Sequence, residues 1–241
     1  MKTSKQITVL ILSLMFVSTI QAQWKSIKGN GNIVKIERTT SDYDGIKCAG
    51  FMDFILVKGE EGKISIEGDE NLLEYIVTEV KNNKLVVKTK NGKTLKPSKR
   101  NGIVITIPFQ DINSVSLSGS GDLINKDQIT ATNFGVALAG SGDVIIDLSA
   151  TSVKGAVAGS GDMTLKGSTN NLEAKVAGSG DFHGFDLDAN HTEVSVAGSG
   201  DAKVVSKKTL KARVAGSGDI AYRGNPEVDS KVSGSGSISN K

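Results

Sequence analysis

The sequence predicts an all-β protein, a right-handed parallel β-helix or β-solenoid built from repeats of about 18–21 residues. Three observations carry this. The tetrad Gly-Ser-Gly-Asp begins at Gly119, Gly140, Gly159, Gly178, Gly198 and Gly216 and closes as Gly-Ser-Gly-Ser at Gly234, with spacings of 21, 19, 19, 20, 18 and 18 residues. Apolar and polar residues alternate on both sides of each tetrad, the period of a strand with one buried face. Glycine is abundant, 28 of 241 residues, while proline and aromatic residues are few, as in a turn-rich β chain.

Residues 1–22 read as a signal peptide. Lys2 and Lys5 form a basic start, Ile7 to Ile20 an apolar run too short to span a bilayer comfortably, and Ala22 a small residue for cleavage. The remaining chain, 23–241, reads as one exported domain in the periplasm or at the cell surface, without a transmembrane segment. Its formal charge of +3 falls to +1 when Lys2 and Lys5 are removed, a balance that argues against nucleic acid as a partner. The single cysteine, Cys48, excludes an internal disulfide and reads as a buried, inert thiol.

Within that domain, 23–114 is an irregular β part. KISIEG, KLVVKT and GIVITI are strand-like, and KNNK at 81–84 is a tight hairpin turn. DENLLEYI at 69–76 predicts a helical turn capped by Asp69. CAGFMDFIL at 48–56 parallels LAGSGDVII and is expected to be a degenerate first coil.

The regular repeats occupy 115–241. Leu117, Leu138, Val157, Val176, Val196, Val214 and Val232 stand two residues before each tetrad. Carrying their inward parity forward puts both glycines inside and the Ser and Asp outside. A glycine at a core position marks a bend or a close backbone approach, here expected at a bend around a narrow core. Repeats that cannot bury an apolar face alone must stack on their neighbours. An antiparallel meander also fits this pattern, but strict identity at the tetrad favours coils stacked in register.

GNGN at 29–32, YDGIKCAGFMDFILVKGEEGKISIEGDENLLEYI from Tyr43, and the reiterated GSGD together resemble the secreted head GIN domain family of the Bacteroidota, adhesins of autotransporter type. The resemblance covers nearly the whole chain after the leader. It implies a pectate-lyase-like right-handed β-helix, and it brings no catalytic residues with it.

In-register stacking would bring Asp122, Asp143, Asp162, Asp181, Asp201 and Asp219 into a ladder with carboxylates about 5 Å apart. Repulsion there is ~0.8 kcal/mol per pair in water and several-fold more at a protein surface. Ser hydroxyls and glycine N–H groups are the expected donors to relieve it, and these six aspartates are also calcium candidates, since calcium takes oxygen ligands. No other cofactor is expected.

The tetrad serines lack the GxSxG spacing of a nucleophile elbow. GNGN lacks the third glycine of a dinucleotide fingerprint. His183 and His191 read as surface histidines without a metal-ligand partner. Asp186 and Asp188 would serve a polysaccharide-processing enzyme of the pectate-lyase-like type, but Trp24 is the only Trp available as a sugar platform. Residues 81–100 carry eight Lys or Arg and no acid, and Lys96, Lys99 and Arg100 are candidates for contact with anionic glycan or lipid headgroups. A stripe of small outward residues runs from Ser118 and Ala139 to Ala215 and Ser233. The function expected is a non-enzymatic binding module, an adhesin or envelope scaffold presenting a rigid repetitive face, with a glycan or cell-envelope component as partner.

Overall fold

The structure, a computed structural model, describes residues 26–98 and 102–241. The expected leader, 1–22, lies outside the described residues, as do Trp24, Lys99 and Arg100. The chain forms a parallel β-solenoid of about seven turns. From Ser114 onward every strand pairing is parallel, so the antiparallel meander is not formed there.

One ladder runs through Gly45–Gly50, Ser114–Gly119, Ile129–Gly140, Val144–Gly159, Met163–Gly178, Phe182–Gly198, Thr209–Gly216 and Glu227–Gly234. Its register is set by the tetrads: Gly50, Gly119, Gly140, Gly159, Gly178, Gly198, Gly216 and Gly234 each face the next. A second ladder joins Asp53–Lys58, Leu123–Asn125, the first halves of the three long strands, Ala202–Val205, Ile220–Arg223 and Ile238–Asn240. Two corners connect the ladders. One is the tetrad. At the other the inward alternation slips by one residue: Ala150 and Val153 are buried around exposed Thr151 and half-buried Ser152, and Thr169 and Leu172 around Asn170 and Asn171. The core between the ladders is one continuous cluster, mainly of Val, Leu, Ile and Phe, from Tyr43 to Ile220. Each such burial stabilises by about 1.5–3 kcal/mol, and no coil can achieve it without a neighbour.

The degenerate coil stacks as the sequence indicates: Cys48 faces Leu117, Gly50 faces Gly119 and Phe54 faces Leu123. It is not the first in space. Lys84–Thr89 pairs with its outer side in one ladder and Val104–Phe109 in the other. The chain therefore lays down 45–58, then 84–109 beyond it, and then returns across the first of these to begin 114. This outermost coil is closed by antiparallel strands. Ile76–Lys81 pairs with Lys84–Thr89 through the expected turn, where Asn82 and Asn83 take φ of +50° and +57°. Lys63–Asp69 pairs antiparallel with both Val104–Phe109 and Ile33–Thr39.

The expected helical turn is present as Glu70–Leu73, but Asp69 does not cap it with its side chain. The buried carboxylate turns away and accepts from Gly31 N (2.7 Å), Ser98 N (2.9 Å) and Ser98 Oγ (2.5 Å). Burial alone would raise its pKa; the bonds from Ser98 and Gly31 outweigh burial and hold it below the ordinary value. Cys48 is fully buried, which pushes its thiol pKa up and leaves it unreactive.

Candidate functional site

The repeated corner is a piece of backbone chemistry. Gly159 has φ +127°, a conformation that L side chains rarely adopt, and a Cβ there would lie 2.3 Å from the carbonyl oxygen of Gly140 below. At Gly161 a Cβ would lie 2.0 Å from the oxygen of Gly142. The glycines are thus required by the backbone of the preceding rung, not by narrowness of the core as the sequence suggests. Close approach lets one carbonyl serve two donors: Gly140 O accepts from Ser160 N (2.8 Å) and Gly161 N (3.0 Å), and the same pair recurs at every rung.

The Asp ladder completes the corner. Each carboxylate accepts the backbone N–H of the aspartate one rung on: Asp143 N to Asp122 Oδ1 (3.0 Å), Asp162 N to Asp143 (3.0 Å), Asp181 N to Asp162 (2.9 Å), Asp201 N to Asp181 (2.8 Å) and Asp219 N to Asp201 (2.8 Å). The donors are these aspartate amides rather than the expected tetrad hydroxyls and glycine amides. Only at the last rung does a serine hydroxyl take part, where Ser237 donates both N–H and Oγ–H to Asp219. The ladder also has an earlier member, Asp53, whose Oδ1 accepts from Asp122 N (3.3 Å). Its tetrad, GFMD, keeps the first glycine and the aspartate but not the serine and second glycine. Burial, reinforced by the Asp122 charge, raises the Asp53 pKa despite that bond.

Stacking also gives His183 the neighbours that its sequence position conceals. Its Nε2 lies 3.9 Å from Asp162 Oδ2, and the ligand atoms of Asp162, Asp181 and His183 all fall within 4.8 Å of one another. This corrects the expectation that His183 has no metal-ligand partner. The three are half-buried side chains along one flank of the ladder.

The outer face of the first ladder carries the small-residue stripe in register: Ala49, Ser118, Ala139, Ala158, Ala177, Ala197, Ala215 and Ser233. Beside the second corner a groove of about 540 Å³ crosses several rungs, lined among others by Asn171, Glu173, His191, Glu193, Thr209 and Lys211. Glu173, Glu193, Lys211 and Asp229 of its lining are ion-paired. Glu173 binds Lys175 (2.6 Å) and Lys154 (3.1 Å), which hold its pKa below the ordinary range, Lys175 contributing most. Glu193 binds Lys211 (2.8 Å), and His191 Nδ1 meets Thr209 Oγ1 at 2.8 Å. Neighbouring positions of the repeat create this groove, but no local motif marks it. Asp186 and Asp188 are exposed on Phe182–Gly198, outside the groove, and Asp188 is paired with Lys207 at 2.9 Å.

Two further features lie on other surfaces. Ile55, Ile124 and Ile145 face each other across three rungs on the outer side of the second ladder, with Ile145 42% exposed. Outward parity was their only signal in the sequence. Lys96 is exposed in the short strand Thr94–Lys96, and Lys90 and Lys93 approach the Tyr75 ring, all in the capping part.

No curated protein matches the chain. Solved structures do. A "putative adhesin" from Bacteroides fragilis is 26% identical, with a TM-score of 0.83 over 89% of this chain and 100% of that one. A "putative lipid binding protein" from Parabacteroides distasonis is 29% identical, with a TM-score of 0.73 over 90% and 100%. A "putative adhesin" from Parabacteroides merdae, 22% identical with a TM-score of 0.72 over 90% and 99%, shares the fold. The family model described as "Putative auto-transporter adhesin, head GIN domain" matches residues 42–226, from the degenerate coil to the last turn but one, and the chain belongs to that family.

Proposed function

We propose that the protein is exported and acts as a non-enzymatic, adhesin-like module, a rigid tube whose outer face binds a glycan or another cell-envelope component. The carrying observation is the eight-rung outer face, flat along its Ala and Ser stripe and bordered by the polar groove at the second corner. Rigidity matters because ligand groups meet side chains already held in place, which reduces the ordering cost of binding. Family membership and the adhesin names of similar structures support the reading. Binding is favoured over polysaccharide cleavage because Glu173 in the groove is ion-paired with Lys175 and Lys154, which favours its charged carboxylate over a proton-donating acid.

A glycan array tests it. Wild type is expected to retain a defined set of glycans, and His191→Ala with Glu193→Ala to lose them while melting normally. Equal binding by wild type and the double variant would refute the groove's role.

A second reading rests on the basic capping part. Lys96 is exposed, and with its sequence neighbours Lys99 and Arg100 we propose it as a contact for anionic lipid headgroups, in keeping with the lipid-binding name of the Parabacteroides distasonis structure. Charge reversal at the three positions is expected to abolish binding to phosphatidylglycerol vesicles. Unchanged binding would dispose of it.

A further inference from the structure

The two ends of the tube differ in one respect that bears on assembly. At the capped end, Lys84–Thr89 and Val104–Phe109 have antiparallel neighbours on their outer sides. At the other end, Glu227–Gly234 pairs with Thr209–Gly216 on one side only, and every one of its residues is exposed. Val228 and Val232 occupy core positions in the register, opposite Leu210 and Val214, yet are 41% and 42% exposed. Proteins ordinarily shorten, twist or cover such an edge, because its free N–H and C=O groups template further pairing.

The sequence of this edge is self-complementary. Glu227 donates its N–H back to Lys208 (2.8 Å), so by strand alternation the N–H and C=O groups of Val228, Ser230 and Val232 project from the free side. An antiparallel copy centred on Ser230 sets Ser230 against Ser230, Val228 against Val232, and Asp229 against Lys231. All the projecting groups then find partners, the valines meet on the core side, and opposite charges meet on the outer side. Centring on Asp229 or on Lys231 instead sets like charge against like. Asp229 is already oriented by Arg213, whose Nη2 lies 2.5 Å from its Oδ2, whereas Lys231 has no ion-pair partner among the described residues.

We propose that the protein forms a two-fold dimer by antiparallel pairing of Glu227–Gly234 with the same strand of a second copy, through the Val228, Asp229, Ser230, Lys231, Val232 face. The contact is isologous, each copy spending the same edge on the other, so the pairing closes as a pair and does not grow into a fibre. The result is a tube of doubled length with both basic capping parts outermost.

Analytical ultracentrifugation of wild type, Lys231→Asp, Asp229→Lys and Val232→Thr tests this, with circular dichroism melts to verify folding. Wild type is expected at twice the chain mass. Lys231→Asp, which disturbs no ion pair among the described residues, is expected at the monomer mass, and Val232→Thr is expected to weaken the dimer at least about tenfold, the loss of two apolar contacts per pair. Asp229→Lys alone is expected to be monomeric. Mixed with Lys231→Asp it regains a dimer, because both cross-pairs are then of opposite charge. A monomeric wild type, or a dimer of unchanged strength in Lys231→Asp and Val232→Thr, would overturn the proposal.

Discussion

From Ser114 onward each coil leans on the one before it; between Gly45 and Phe109 the chain instead builds a coil, a further coil outside it, and an antiparallel cover. Both regions share one core. They differ in what fixes the next strand. In the repeats it is backbone meeting backbone, with the glycine pair allowing approach and the aspartate supplying the acceptor that the corner lacks. In the capping part it is individual side chains: Asp69 tying Gly31 to Ser98, and Arg38 Nη2 donating to Leu73 O at 2.6 Å. A repeat can reuse one local solution indefinitely, whereas an end must be solved once.

That contrast is open to measurement, and the largest effect belongs to the glycines. Gly161→Ala would force a Cβ against Gly142 O, where the nearest atoms are all backbone of the rung below and no side chain can yield, and is expected to cost about 3 kcal/mol or more or to prevent folding. Gly135→Ala has only Ser114 Cβ nearby, at 3.9 Å, and is expected to fall within about 0.5 kcal/mol of wild type. Equal losses at the two sites, read from urea melts, would remove the special standing of the corner.

In the capping part the corresponding weak point is Asp69. Asp69→Ala removes the charged acceptor of Gly31 N, Ser98 N and Ser98 Oγ and is expected to cost about 2–3 kcal/mol. Because its folded pKa lies below the ordinary 3.8, the stability it contributes is complete above that value and drains away as pH falls through the lowered one. Asp69→Asn should therefore be less stable than wild type at neutral pH and lose less on acidification. Parallel curves would contradict the assignment. Asp53 acts with the opposite sign: its raised pKa makes the folded state bind the proton more tightly, so its contribution declines as pH rises through that range.

A smaller effect distinguishes the ladder's chemistry. Asp162→Ala deprives Asp181 N–H of its acceptor and is expected to cost about 1–2 kcal/mol, whereas Asp162→Asn keeps a side-chain oxygen and is expected to cost less than half of that. If Asn proves as damaging as Ala, charge and not the hydrogen bond matters. The smallest expected effect is that of calcium. Since Oδ1 of each ladder aspartate from Asp122 to Asp219 already accepts a backbone N–H, millimolar calcium or its chelator should move the midpoint of thermal unfolding by less than about 1 °C. A larger calcium-dependent rise would establish a bound cation.

The same contrast explains what could be read from residues alone. The tetrads announce parallel stacking because identical residues need identical surroundings, and even CAGFMDFIL betrays its rung through Gly50 and Phe54. The order of coils was hidden, since nothing local in 59–113 says that this segment lies outside 45–58 and not after it. The Asn82–Asn83 turn was legible from its own residues. The destination of the Asp69 carboxylate was not, because its partners lie 38 and 29 residues away. The groove and the His183 neighbourhood were invisible for a related reason: vertical neighbours are 18–21 residues apart, and only coordinates bring them together.

Distances along the column of exposed tetrad serines test the register most directly. With Cys48 replaced by Ala, nitroxide pairs at Ser120 and Ser199, Ser120 and Ser217, and Ser120 and Ser235 span four, five and six rungs. Pulsed electron resonance should give separations near 19, 24 and 29 Å, rising by about 4.8 Å per rung whatever the number of intervening residues. Separations that follow sequence distance, or that fail to rise from pair to pair, would contradict the stacked column.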